Sequence, residues 1–87
     1  MRMLQFTYTI TSPTGLHGRP AVLLKETADA LDSAITVEKA GCSAPAGRLM
    51  ALMALGAAQG DVVTVTVEGG DETRTLQVLE QFFEENL

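Results

Sequence analysis

The chain contains little cysteine and little histidine. Among its 87 residues, Cys42 is the only cysteine and His17 the only histidine. A single cysteine excludes an internal disulfide and the zinc sites that need two cysteines. A metal site built from several histidines is excluded as well, so we expect no bound metal. The lack of disulfide pairs is consistent with a reducing compartment.

Long apolar runs are also missing from the sequence. No segment approaches the ~20 consecutive apolar residues that a membrane-spanning helix needs, so we expect no membrane insertion. The first ten residues, MRMLQFTYTI, alternate apolar and polar side chains. They lack the apolar stretch and the small-residue cleavage site of a secretory signal peptide. We therefore expect a cytoplasmic protein.

Positive charge is scarce. The formal net charge is −5, with six lysines and arginines against eleven acidic residues. This balance argues against a nucleic-acid partner, because phosphate backbones are bound by clustered cations. The acids are concentrated late in the chain, since seven of them lie between Asp61 and Glu85. The only histidine lies in the other part of the chain, with Arg19, Lys25 and Arg48.

The composition that remains is typical of a globular protein, with 46% hydrophobic and 20% charged residues. The length suits one domain over residues 1–87. Period-two apolar patterns predict four strands: Leu4–Ile10, a strand around Ile35–Glu38, Ser43–Ala46, and VVTVTVEGG at 62–70. Pro45 cannot donate a backbone hydrogen bond, which predicts that the third strand lies at a sheet edge.

Helical spacing predicts three helices between and after these strands. The first starts at His17, with Pro20 in its opening turn. The second is the short segment RLMALMALG, ended by Gly56, and the third follows a cap at Asp71. The apolar stripes of the first and third helices are Ala21, Leu24, Ala28 and Leu31, and Leu76, Val78, Leu79, Phe82 and Phe83. The resulting order, βαββαβα, predicts an α+β fold with helices on one face of an antiparallel sheet.

The segment TGLHGRPA, residues 14–21, places the only histidine at the start of a helix. The first N–H groups of a helix have no intrahelical partner and attract anions. Gly18 allows close approach of the backbone, and the Arg19 guanidinium matches phosphate oxygens. The residues alone thus indicate an imidazole that can accept a phosphoryl group, or a capping or surface histidine without catalytic use. A nucleophile pair with Cys42 has no sequence support, and that cysteine is more simply a small turn residue.

The motif GLHGRPA resembles the G-[LM]-H-[AT]-R-P-A pattern of the histidine-containing phosphocarrier (HPr) family of the bacterial phosphoenolpyruvate:sugar phosphotransferase system. The segments ALGAAQGD and VVTVTVEG also fit the family pattern, so the resemblance covers nearly the whole chain. It implies an open-faced β-sandwich of four antiparallel strands covered by three helices. It also implies that His17 accepts a phosphoryl group on Nδ1 from enzyme I, which takes it from phosphoenolpyruvate, and passes it to IIA domains of sugar permeases.

A carrier of this kind is a stoichiometric shuttle without substrate turnover of its own. The resemblance implies no cofactor on this chain, since magnesium serves enzyme I. Arg19 corresponds to the arginine beside the phosphohistidine, and we expect the N–H groups of His17, Gly18 and Arg19 to form a phosphate cradle. We expect a monomer, because a carrier is handed between partners.

The docking face of the family lies at the beginnings of its first and second helices. Here it corresponds to five residues: Val22, Arg48, Leu49, Met50 and Met53. Methionine and a positive rim, to which Arg19 and Lys25 contribute, suit several acidic partners in turn. Leu49 and Met53 are candidates for the core as well. Transcriptional or kinase regulators are further candidate partners.

Two departures from the family pattern concern regulation and partners. Many relatives carry a regulatory serine where this chain has Arg48, which has no hydroxyl, so serine phosphorylation is not expected at this position. Glu26 and Asp29 occupy positions where relatives often have cations, so the partners can differ. The alternative functions are a paralogue with a regulatory role of the nitrogen or dihydroxyacetone type, a carrier piece of a larger fused protein, and an interaction module that never carries phosphate.

Overall fold

The computed structural model describes residues 3–87; Met1 and Arg2, which begin the segment searched for a signal peptide, lie outside the described residues. Within the described part, the elements follow the predicted order βαββαβα. The strands are β1 (Met3–Thr9), β2 (Ala34–Lys39), β3 (Cys42–Pro45) and β4 (Val62–Glu68). The helices are α1 (Arg19–Asp29), α2 (Leu49–Ala54) and α3 (Glu72–Asn86).

The four strands form one antiparallel sheet in the order β1-β4-β2-β3. Val65 of β4 lies between Phe6 of β1 and Val37 of β2. The β-branched residues of β4 therefore occupy an inner strand, where side chains pack against neighbours on both sides. β3 lies at one edge of the sheet, as the proline at position 45 predicts.

The helices cover one face of the sheet, and the core lies between them. Every second residue of β4 is fully buried, namely Val63, Val65 and Val67. α3 packs on this face through Phe83, whose ring meets Phe6 and Tyr8 edge to face at centroid distances of 5.6 and 5.4 Å. Burial of such a side chain stabilises the fold by about 1.5–3 kcal/mol. The other face of the sheet is left to solvent, so the predicted open-faced α+β fold is confirmed.

Local capping determines where two of the helices begin or end. The carboxylate of Asp71 accepts the N–H of Arg74 at 3.2 Å, as predicted for the cap of α3. Glu72 accepts the N–H of Gly69 at 2.6 Å in the same turn. Gly56 follows α2 with a φ of +63°, the left-handed conformation that ends many helices. None of the helices formed by residues 3–87 is long and apolar enough to cross a bilayer.

Several predicted boundaries shift by one or two residues. β1 ends one residue before Ile10, and β3 begins and ends one residue earlier than predicted. α1 begins two residues after His17, because Gly18 has a φ of +61° and a ψ of −129°, which no helix accommodates. The histidine consequently lies outside the helix, one residue before its N-cap.

Candidate functional site

His17 belongs to residues 10–17, which we call the histidine segment and which lead from β1 toward α1. Leu16 is 1% exposed and belongs to the core, whereas His17 is exposed. Gly15 has a φ of +66°, and a Cβ at this position would lie 2.4 Å from the carbonyl oxygen of Ala57. Only glycine fits such a position. The buried leucine therefore anchors the segment to the core while the imidazole stays at the surface.

A second segment, residues 56–61, packs against the histidine segment, and we call it the support loop. Leu16 donates its N–H to the carbonyl of Ala57 at 2.9 Å. Further bonds join the two segments: Ile10 N–H to the Asp61 carbonyl (2.9 Å), Gly60 N–H to the Ile10 carbonyl (2.8 Å) and Gln59 Nε2 to the Thr11 carbonyl (3.1 Å). The support loop thus determines where the backbone next to His17 lies.

The amino end of α1 presents unpaired N–H groups beside the histidine. Gly18 is the N-cap, and no side chain caps this end. The helical hydrogen bonds start with the N–H of Val22, which donates to the Gly18 carbonyl at 3.1 Å. Among residues 3–87, nothing accepts a hydrogen bond from the N–H groups of Gly18 and Arg19. Free donors at the positive end of an 11-residue helix are suited to bind an anion.

Fewer free N–H groups precede α1 than the sequence predicts. The expected donors were the N–H groups of His17, Gly18 and Arg19, but His17 donates its N–H to the carbonyl of Gly15 at 3.0 Å. This tight turn occupies one donor and leaves the other two. The Arg19 side chain is exposed and forms no ion pair within the described part of the chain. Its guanidinium is therefore available to an anion.

The predicted docking residues lie on α1 and at α2, two helices that pack against each other. Met50 is 76% exposed and Val22 is 38% exposed. Leu49 and Met53 are partly buried and pack against the core, so they contribute to both core and surface. Arg48 is exposed and forms the N-cap of α2 without a side-chain capping bond. The structure thus presents apolar and cationic side chains on the helix that starts beside His17 and on its neighbour.

Cys42 is exposed at the start of β3, next to the turn that joins β2 and β3. The sequence predicts a turn residue here, whereas the turn itself is formed by Ala40 and Gly41 and ends one residue before Cys42. Residues 3–87 contain no group of three or more histidine, cysteine, aspartate or glutamate side chains arranged to hold a metal ion.

The sequence analysis did not identify two charged residues that lie next to the support loop. Lys39, the last residue of β2, donates to the Gly56 carbonyl at 2.9 Å and forms an ion pair with Asp61 at 3.0 Å. Asp61 also accepts the N–H of Ala58 at 2.8 Å. The Ala58 N–H and, after it, the Lys39 ammonium hold the pKa of the Asp61 carboxyl below its ordinary value. The motif AAQGD predicts a turn, but no local signal connects it to a lysine at the end of a distant strand.

Comparisons with known proteins cover nearly the whole chain. The family model described as PTS HPr component phosphorylation site matches residues 4–85. The structure of HPr-C-His from Thermoanaerobacter tengcongensis is 38% identical with a TM-score of 0.90, covering 95% of this chain and 93% of that chain. The phosphocarrier protein HPr from Bacillus anthracis is 31% identical with a TM-score of 0.87, covering 93% and 96% of the two chains. Crh, the catabolite repression HPr of Bacillus subtilis, is 32% identical with a TM-score of 0.68, covering 97% and 100%.

Proposed function

The chain belongs to the HPr family of the phosphotransferase system, and from this premise we propose that it carries a phosphoryl group on His17. The donor is phosphorylated enzyme I, and the acceptors are IIA domains of sugar permeases. One observation carries the proposal. The exposed imidazole lies one residue before the N-cap of α1, where the N–H groups of Gly18 and Arg19 have no partner among the described residues.

In the proposed transfer, the lone pair of Nδ1 of His17 attacks phosphorus. The bond between nitrogen and phosphorus forms as the bond between phosphorus and the donor atom of enzyme I breaks. The phosphoryl oxygens then accept hydrogen bonds from the N–H groups of Gly18 and Arg19 and from the guanidinium of Arg19. A negative group at a helix amino end is favoured by about 0.3–1 kcal/mol. This is enough to adjust the transfer equilibrium, so that the group is both accepted and released.

The docking face is suited to several partners in succession. Exposed Met50 and Val22 offer an apolar contact, and the flexible methionine adapts to different surfaces. Exposed Arg19 and Arg48 add positive charge to the same pair of helices. Most of the acidic residues lie after residue 60, in the part of the chain that contains α3. Acidic partners are therefore attracted toward α1 and α2 rather than toward α3.

Phosphorylation by enzyme I tests the proposal directly. Purified protein incubated with enzyme I, magnesium and phosphoenolpyruvate is expected to gain the mass of one acid-labile phosphoryl group. His17→Ala is expected to gain none. Arg74→Ala, which removes a cation from α3 outside the docking face, is expected to be modified like the wild type. No mass increase in the wild type, or an increase that persists in His17→Ala, contradicts the proposal.

A regulatory role is the second candidate, because a catabolite repression HPr is among the similar structures. The chain is 32% identical to Crh, a catabolite repression HPr, and 31% identical to HPr from Bacillus anthracis. Identity therefore does not separate a sugar-uptake carrier from a regulatory paralogue. Transfer from the phosphorylated protein to isolated IIA domains of sugar permeases separates them, because a sugar-uptake carrier donates to at least one such domain. Partner binding that is unaffected by phosphoenolpyruvate and by His17→Ala indicates an interaction module instead.

A further inference from the structure

Lys39 and Asp61 form a clamp on the support loop. Oδ2 of Asp61 accepts hydrogen bonds from the N–H of Ala58 at 2.8 Å and from Nζ of Lys39 at 3.0 Å. The same Nζ donates to the carbonyl of Gly56 at 2.9 Å. The clamp therefore connects the start, the middle and the end of the loop to the end of β2.

The clamp and the histidine segment meet at one short stretch of backbone. Ala57 is 4% exposed and lies between the two backbone groups that the clamp holds. Its own carbonyl accepts the N–H of Leu16, the residue before His17. The backbone N–H of Asp61 also donates to the carbonyl of Ala58 at 2.9 Å, which closes the turn. The connection from the clamp to the histidine thus runs through backbone groups alone.

The exposure of the two side chains indicates what the clamp does. The side chains of Lys39 and Asp61 are 28% and 34% exposed. An ion pair with this much solvent around it contributes little to global stability, because water and salt screen it. Its hydrogen bonds, however, all involve the support loop, where they hold the carbonyl of Gly56, the N–H of Ala58 and the carboxylate of Asp61. The main effect of the clamp is therefore on the position of that loop.

We propose that Lys39 and Asp61 are positioning residues for phosphoryl transfer, which hold the support loop so that Leu16 keeps the His17 imidazole in place before α1. The inference rests on the proposed carrier function and extends it to two residues outside the docking face. Misplacement of a reacting group by about 1 Å can slow a reaction about 100-fold. Loss of the clamp is thus expected to slow transfer without weakening partner binding.

Asp61→Asn and Lys39→Met remove the two charges of the clamp. Single-turnover transfer at saturating phosphorylated enzyme I is expected to slow by about tenfold or more in each variant, while the dissociation constant of the complex stays at the wild-type value. Lys39→Arg keeps the charge and the donors, so it is expected to recover most of the rate. Glu72→Gln is the matched control, because Glu72 also accepts a backbone N–H, from Gly69, in the turn at the other end of β4. Its transfer rate is expected to equal that of the wild type.

Nuclear magnetic resonance separates positioning from a general loss of structure. In Asp61→Asn, the amide of Leu16 is expected to exchange faster with solvent and the ring nitrogen signals of His17 are expected to shift. Neither change is expected in Glu72→Gln. All measurements are made at a temperature at which circular dichroism shows every variant fully folded.

The possible results are distinct. Wild-type transfer rates in folded Asp61→Asn and Lys39→Met overturn the inference while the carrier function stands. A slower transfer that is matched by weaker binding of enzyme I overturns it too, because the clamp then belongs to the docking surface. If the wild type accepts no phosphoryl group on His17, the proposed function fails and this inference fails with it.

Discussion

The N–H of Leu16 donates to the carbonyl oxygen of Ala57 at 2.9 Å, and this bond joins the histidine segment to the support loop. Both residues are nearly fully buried, at 1% and 4% exposure. If the bond is broken, two backbone groups lose their partners away from water, which costs about 1–3 kcal/mol. Gly15 packs directly on the same carbonyl. Any side chain at position 15 therefore pushes the two segments apart.

Gly15→Ala is expected to destabilise the fold by about 3 kcal/mol. About 1–2 kcal/mol comes from a φ of +66° at a residue with a Cβ, and the remainder from the contact with the Ala57 carbonyl. Gly56→Ala is a matched control, since its φ is +63° but the nearest atom to the added Cβ is Lys39 Nζ at 4.0 Å. It is expected to lose only about 1–2 kcal/mol. Urea unfolding measures both, and equal losses in the two variants contradict the argument.

Arg48→Ser is expected to change stability and partner affinity in opposite directions. Arg48 is the N-cap of α2 in an extended conformation and makes no capping bond. A serine hydroxyl can accept a free N–H of the first turn, which stabilises the fold by about 0.5–1 kcal/mol. Loss of the charge is expected to weaken enzyme I binding about threefold. Thermal unfolding and titration calorimetry measure the two effects, and Arg74→Ser serves as the control with unchanged affinity. Unchanged affinity contradicts a docking role for Arg48, and a loss of stability contradicts the capping argument.

Asp61→Asn is expected to alter the dependence of stability on pH. Because the pKa of Asp61 is lowered in the folded chain, the native state binds this proton more weakly than the unfolded state does. The contribution of Asp61 is therefore fully present above the ordinary aspartate pKa of about 3.9 and disappears as the pH falls through the lowered value. Urea midpoints are expected to be slightly higher for the wild type than for the variant at about pH 7, since the ion pair is screened, and to converge in strong acid. A difference that stays constant across this range contradicts the assignment.

Ala40→Asn is expected to stabilise the β2–β3 hairpin. Lys39 pairs with Cys42, and the two turn residues between them have positive φ values, +52° at Ala40 and +85° at Gly41. Two-residue turns of this kind favour asparagine followed by glycine. The gain expected from relieving the left-handed alanine is about 0.5–1 kcal/mol by urea unfolding. Ala30→Asn, at an exposed residue with a φ of −83°, is expected to give no gain. Equal effects at both positions contradict the explanation.

The order of strands and helices follows from the sequence because it depends on local periodicity. Val63, Val65 and Val67 alternate with polar threonines, and the three valine side chains are buried on one face of β4, as this period of two residues predicts. The cap at Asp71 and the glycine after α2 are also local signals, and the structure has both. The start of α1 is different. Neither periodicity nor the proline at position 20 reveals that Gly18 adopts a conformation outside the helix.

The sequence by itself determined the α+β class, the family and the placement of the only histidine near the start of the first helix, because each depends on residues close together in the chain. Only the tertiary structure decided that β4 lies between β1 and β2, that the His17 N–H is taken by Gly15, and that the support loop with Lys39 and Asp61 holds the histidine segment. The strand order and the contacts of the support loop depend on residues that are far apart in the chain. The turn at Gly15 depends on its packing against Ala57. Such contacts exist only when the core has closed, so no local pattern encodes them.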